Sequence, residues 1–233
     1  MRRVGRVIPL VLLCLAQTGS GLRAQALRLV PTPVRVHFPL AQAEPIQFLI
    51  DSLLGARLRE QGFDLTPLPL YDSLWLGFRD SVGGYYDPFT GRVVDSLFQI
   101  VLTRTRETLR VRYGVQAIAY AGLEVLQLPF SGGKVEWFGA EEESGGRGGL
   151  AGFVLGRSRG TIPGITLVVN VQDLEGRRLA RRLGGIQLRE RIEGGEFVDV
   201  PRDKLFTDPA LIVRAVRHAT DSLPELVRQG LRP

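Results

Sequence analysis

The stretch GITLVVNVQDLEGRRLARRLGGIQLRE, residues 164–190, leaves the backbone few choices. Ile165 to Val171 is a run of β-favouring residues. Asp173 to Gly176 has the polar and glycine chemistry of a tight turn, and Arg177 to Arg189 returns as a second strand. The glycine pair Gly184-Gly185 sits inside that return strand, where it predicts a bulge. Upstream, VQAIAYAGLEVLQLPF, residues 115–130, is too long and too apolar for a surface loop. It reads as a buried strand, whose alanines and glycine admit a closely packed helix.

Other segments carry the helical period. From Ala43 to Gln61 the apolar positions are Ile46, Leu49, Ile50, Leu53, Leu54 and Leu58, with Pro45 tolerated in the first turn and Gly62 as the stop. Tyr71 to Val82 repeats the pattern through Leu74, Trp75 and Phe78. Val94 to Tyr113 repeats it through Leu97, Ile100, Val101, Thr105 and Leu109, with Gly114 as C-cap. Asp208-Pro209 opens a last helix expected to reach about Arg228. Short strands are expected at PVRVHF (33–38), at FDLTPLPL (63–70) and across KVEWFGAEEE (134–143). This order predicts an α+β fold, with a mixed, mostly antiparallel sheet and helices packed mainly on one face.

The amino terminus is read as a leader. Arg2, Arg3 and Arg6 precede the apolar run Val7 to Ala16, and Ala24-Gln25-Ala26 offers the small residues of a cleavage site. A signal peptide over 1–24 leaves a single α+β domain over 25–233, carrying a Gly-rich hairpin insertion near 141–162 that is read as flexible. The expected location is the periplasm or the outside of the cell. Cys14, the only cysteine, lies among Val11, Leu12, Leu13 and Leu15. It lacks the small neighbours of a lipidation site, so lipoprotein anchoring is not expected and the exported chain has no thiol chemistry. The leader also holds Arg2, Arg3, Arg6 and Arg23, leaving 26 basic against 24 acidic residues. With no basic stripe, nucleic acid is not an expected partner.

Several phrases resemble a known envelope fold. HFP (37–39) with PIQFLIDSLLGARLREQGFDL (45–65) gives a strand, a helix and a second strand. RVRYGVQAIAYAGLEV (110–125) gives a helix, the phrase Gly114-x-Gln116-Ala117-Ile118, and a long strand. ITLVVNVQDLEGRRL (165–179) gives the hairpin V-x-V-x-D-x-x-G-x-x-L. The pattern resembles the periplasmic α+β superfamily of TolB amino-terminal domains and curli-assembly CsgG-type lipoproteins. The resemblance implies a non-enzymatic envelope component that binds partners or assembles. In the curli-type proteins, membrane insertion arises from a hairpin extension of the kind expected near 141–162. Those lipoproteins are acylated, and the setting of Cys14 departs from that.

No reaction is spelled out. His37 and His218, the only histidines, have no Cys, His or acidic neighbours at ligand spacing, so no metal or cofactor is expected. Ser131 in PFSGG joins two strands and is not a nucleophile elbow. The expected function is therefore non-catalytic: binding or assembly through an envelope protein partner or a membrane surface, with self-association possible. Two loops are the candidate contacts. GGYYDPFTGR (83–92) is well-formed turn chemistry that presents Tyr85, Tyr86 and Phe89. The Gly-rich segment offers Phe153, Val154 and Leu155, flanked by Arg157 and Arg159. Two alternatives stay open. One is a glycosidase-like hydrolase using Glu124 and Glu136, with the acidic run Glu141 to Glu143 nearby. The other is a small-ligand carrier whose pocket is lined by Trp75, Phe78 and Trp137.

Overall fold

The computed structural model describes residues 26–40, 43–131, 133–144, 159–193 and 195–231. The Gly-rich segment 145–158 and residues 1–25, which include the expected leader, lie outside them.

The spine is β4 (Ala117–Ser131), a strand of 15 residues. Its amino-terminal half pairs in parallel with β1 (Arg28–Pro31), and further along with β2 (Arg35–Val36). Its other edge pairs antiparallel with β7 (Arg159–Asp173), from Ala117↔Asp173 to Ser131↔Arg159. The strand β8 (Arg178–Leu188) follows β7 through the expected turn, and the two-residue β3 (Asp64–Leu65) pairs in parallel with β1. The order across the sheet is thus β3-β1-β4-β7-β8, a mixed and largely antiparallel α+β arrangement.

The far end of β4 turns into the hairpin β5 (Lys134–Trp137) and β6 (Ala140–Glu143). The sheet curls until this hairpin meets β8, where Phe138 O accepts from Gly185 N–H at 3.0 Å. The expected single strand over 134–143 is therefore a hairpin. Phe138 and Gly139 turn it with φ of 40° and 78°, the positive values that two-residue turns require. A second hairpin, β9 (Glu190–Glu193) with β10 (Glu196–Asp199), was not foreseen. Nor was β1; the expected first strand over 33–38 is reduced to the short β2.

Helices cover both faces. The larger group comprises α1 (Ala43–Glu60), α4 (Pro209–Thr220) and α5 (Leu223–Gly230). It packs on Leu29, Ala117, Ala119, Ala121, Leu123, Ile165 and Leu167, the odd-numbered side of β1, β4 and β7. The pair α2 (Leu70–Ser81) and α3 (Asp95–Tyr113) lies on the opposite side, against Val30, Ile118 and Tyr120. Strand alternation makes this possible: neighbours Leu29 and Val30 are both fully buried, one in each layer. Each such side chain contributes roughly 1.5–3 kcal/mol over leaving it in water.

Local chemistry sets the helix limits. Gly114 ends α3 at φ 63°, its N–H reaching the carbonyls of Leu109 and Arg110. Asp208 caps α4 by accepting from Ala210 N–H at 2.9 Å. The expected continuous helix from 208 to 228 breaks at Asp221-Ser222, with Ser222 at φ 60°. Pro224 has no N–H for the carbonyl of Thr220 four residues back, so α4 ends there. Among the described residues no helix is long and apolar enough to cross a membrane.

Candidate functional site

The connection between α2 and α3 is a hydrogen-bonded loop with an aromatic side chain exposed at its tip. Gly83 and Gly84, at φ 76° and 88°, turn the chain out of α2. Tyr86 and Val93 form an antiparallel bridge, flanked by Asp87 N–H to Arg92 O at 2.8 Å and Val94 N–H to Tyr85 O at 2.7 Å. Within this small ladder, Asp87 Oδ1 accepts from Phe89 N–H at 2.9 Å, Thr90 N–H at 2.7 Å and the Thr90 hydroxyl at 3.0 Å. The Thr90 amide, with the Thr90 hydroxyl and the Phe89 amide, holds the Asp87 carboxyl below the usual carboxylate range. Gly91, at φ 66°, closes the turn by donating to Asp87 O at 2.8 Å.

The three aromatic residues of this loop divide the work. Tyr85 points inward, edge-on to Trp75 at 6.0 Å and to Phe98 at 5.4 Å, and its hydroxyl accepts from Trp75 Nε1 at 3.4 Å. Tyr86 leans on Tyr85 with ring centroids 4.8 Å apart and stays 58 % exposed. Phe89 at the tip is 95 % exposed. Below them Trp75 stacks on Tyr71, which meets Tyr120 of β4 edge-on. The loop is thereby anchored through α2 to the sheet, and burial pushes the Tyr71 phenol well above its ordinary range. Tyr85 is a support, so the exposed aromatic side chains of this loop are Tyr86 and Phe89.

Of the second candidate loop, Phe153, Val154, Leu155 and Arg157 lie outside the described residues. Arg159 is the exposed first residue of β7, opposite Ser131.

The paired carboxylates proposed for hydrolysis have separate partners. Glu124 sits opposite Thr166 on the sheet and reaches Arg181 at 3.7 Å. Glu136 is on β5 beside Lys134, at 3.7 Å. Two of the three aromatics expected to line a carrier's pocket, Trp75 and Trp137, are packed against other groups. Trp75 belongs to the loop's support, and Trp137 lies on Gly164 and Gly185, where added Cβ atoms would meet its ring at 3.5 and 2.7 Å. The exposed His37 lies over Gly122 and the half-buried His218 over Gly139. Among the described residues no group of acidic, histidine and cysteine side chains could hold a metal.

One carboxyl that the sequence showed only as part of an acidic run is chemically distinct. Glu142 of β6 lines a cleft of about 680 Å³ with Gln187, Arg191, Lys204 and Thr207. Its Oε2 accepts from Leu188 N–H at 3.3 Å, while Oε1 is buried without a donor among the described residues. Burial pushes the carboxyl up, against the lowering influence of the Leu188 amide, Arg191 and Arg214. The signal available beforehand was alternation along β6, which turns Glu142 the opposite way from Glu141 and Glu143. No family model and no curated protein matches this sequence.

Proposed function

We propose that this chain is a non-catalytic, exported binding or assembly module of the cell envelope that meets its partner through the loop 85–93. The observation carrying this reading is the 95 % exposed Phe89 on a turn fixed by three hydrogen bonds to Asp87. A turn whose backbone is already fixed has less entropy to lose on docking, and aromatic residues dominate contact energies. The resemblance to TolB amino-terminal and CsgG-type domains supports the same class of activity. The test is co-purification from the native envelope with wild type and with Phe89→Ala. Loss of one defined partner with an unchanged Tm supports the reading; an identical set of partners from both proteins refutes it.

A second reading rests on Glu142. A cleft of about 680 Å³ falls within the size range of small-molecule sites, and its lining brings the carboxyl of Glu142 together with the cations Arg191 and Lys204. Under this reading the protein carries or processes a small polar molecule. A thermal-shift screen separates it from the first: stabilisation that Glu142→Gln abolishes and Phe89→Ala leaves intact favours the cleft.

A further inference from the structure

The two most exposed aromatic side chains among the described residues are Phe89, 95 %, and Phe48, 75 %. They belong to different features. Phe89 tips the loop between α2 and α3. Phe48 stands on α1 beside a groove of about 180 Å³, formed where that helix passes the ends of β1 and β3. The groove walls include Leu54, Leu58, Leu65, Leu68 and the buried Thr66. An apolar cavity of about 150 Å³ accepts a benzene ring, so this groove is the size of one aromatic side chain. Phe48 at its rim offers a ring for an edge-to-face contact. Charge agrees with size. Two charged residues line the groove: Arg59, which forms no ion pair among the described residues, and Asp51, whose Oδ1 is taken by the Val34 N–H at 2.9 Å and whose carboxyl is pushed up by burial, toward the neutral form. Asp87, two residues from Phe89, uses Oδ1 for the turn and leaves Oδ2 free for a cation.

We propose that Phe89 of one copy of this chain docks into the groove beside Phe48 of a second copy, with Asp87 facing Arg59. The inference rests on the reading of the loop as a contact surface and names its occupant. Knob and groove are separate surfaces of each chain, so every copy offers one of each.

Sedimentation equilibrium of the purified protein tests this, because a contact built on one anchor belongs in the weak range, up to a Kd of ~1 mM. Wild type is expected to show a weight-average mass that rises with concentration. Phe89→Ala removes the knob. Ser52→Trp fills the groove from an exposed position on α1. Each variant alone is expected to weaken association at least tenfold with an unchanged Tm. Mixing the two is expected to restore a 1:1 complex, since one retains the groove and the other the knob. A wild type that stays monomeric throughout, variants that associate like wild type, or a mixture that behaves as the sum of its parts each overturns the proposal. If wild type is monomeric yet Phe89→Ala loses an envelope partner, the second copy is refuted and the contact role of the loop survives.

Discussion

Asp87 accepts three hydrogen bonds through one oxygen, and that determines whether Phe89 is presented or merely exposed. Replacing it with alanine leaves two amides to water and frees the tip. Hydrogen exchange at Phe89 and Thr90 should accelerate in Asp87→Ala, with little change in Tm. The pH dependence has a definite sign. The folded carboxyl lies below its unfolded value, so its contribution is complete above the ordinary carboxylate range. It is lost as pH falls through the lowered folded value. Glu142 behaves in the opposite sense. Its folded pKa is raised by burial, so the folded state holds a proton that the unfolded state releases. Stability therefore falls as pH rises from the ordinary value through the raised one, and the penalty persists above it. Glu142→Gln keeps an acceptor for Leu188 N–H and removes the charge. It should raise Tm at neutral pH and flatten that part of the profile, which calorimetry across pH would show. A lower Tm at neutral pH would mean that Arg191 and Arg214 outweigh the burial.

Among the elements, β8 shows most directly what its glycines do. Gly184-Gly185 is the expected bulge site, and the register does shift beside the pair, between Ile165 and Thr166 on the partner strand. Packing adds a second reason. A Cβ on Gly184 would sit 2.0 Å from the carbonyl oxygen of Ala215 on α4. On the opposite face, a Cβ on Gly185 would sit 2.6 Å from the carbonyl oxygen of Trp137. The pair lets a helix and a hairpin approach the same strand from its two sides. Backbone atoms cannot swing away as side-chain tips do, so Gly184→Ala should destabilise by about 3 kcal/mol through overpacking. A methyl group added at Gly77 on α2 would meet nothing within 4 Å, so Gly77→Ala should gain up to ~1 kcal/mol from helix propensity. Urea denaturation of the two variants measures both, and similar shifts would contradict the packing account.

At the scale of the whole molecule, β1 is the part that joins the layers. It lies between β3 and β4, and its side chains alternate into the two cores. Leu29→Ala should cost about 3 kcal/mol by opening a cavity under α1. Deleting residues 26–31 should abolish the cooperative transition, because both parallel pairings and both layers lose their shared member. A sharp unfolding transition in that deletion would show that the layers hold without it. The distribution of helices follows from the same strand. The chain passes from β1 to β3 on one side through α1, then back past β1 to β4 through α2 and α3. Right-handed crossovers running in opposite directions place their helices on opposite faces of a sheet.

What the sequence determined by itself was local. The period of apolar residues set α1, α2 and α3 to within a residue or so, because a helical stripe is written in near neighbours. The β7–β8 hairpin and the Asp87 turn were legible for the same reason: their donors and acceptors lie within a few residues of each other. Strand β1 was not legible, since four residues are too few to carry a period of their own. Nor was the outward placing of Phe48, although it falls off the apolar stripe of α1 and that was the available sign. Only the tertiary structure decided the order of strands, the two layers of helices and the neighbours of Gly184 and Gly185. It alone decided that a buried carboxyl at Glu142 faces a cleft, and that an aromatic tip and an aromatic-sized groove occur on one chain. These depend on contacts between residues far apart in sequence, whose pairing is settled by burial and sterics rather than by any local pattern.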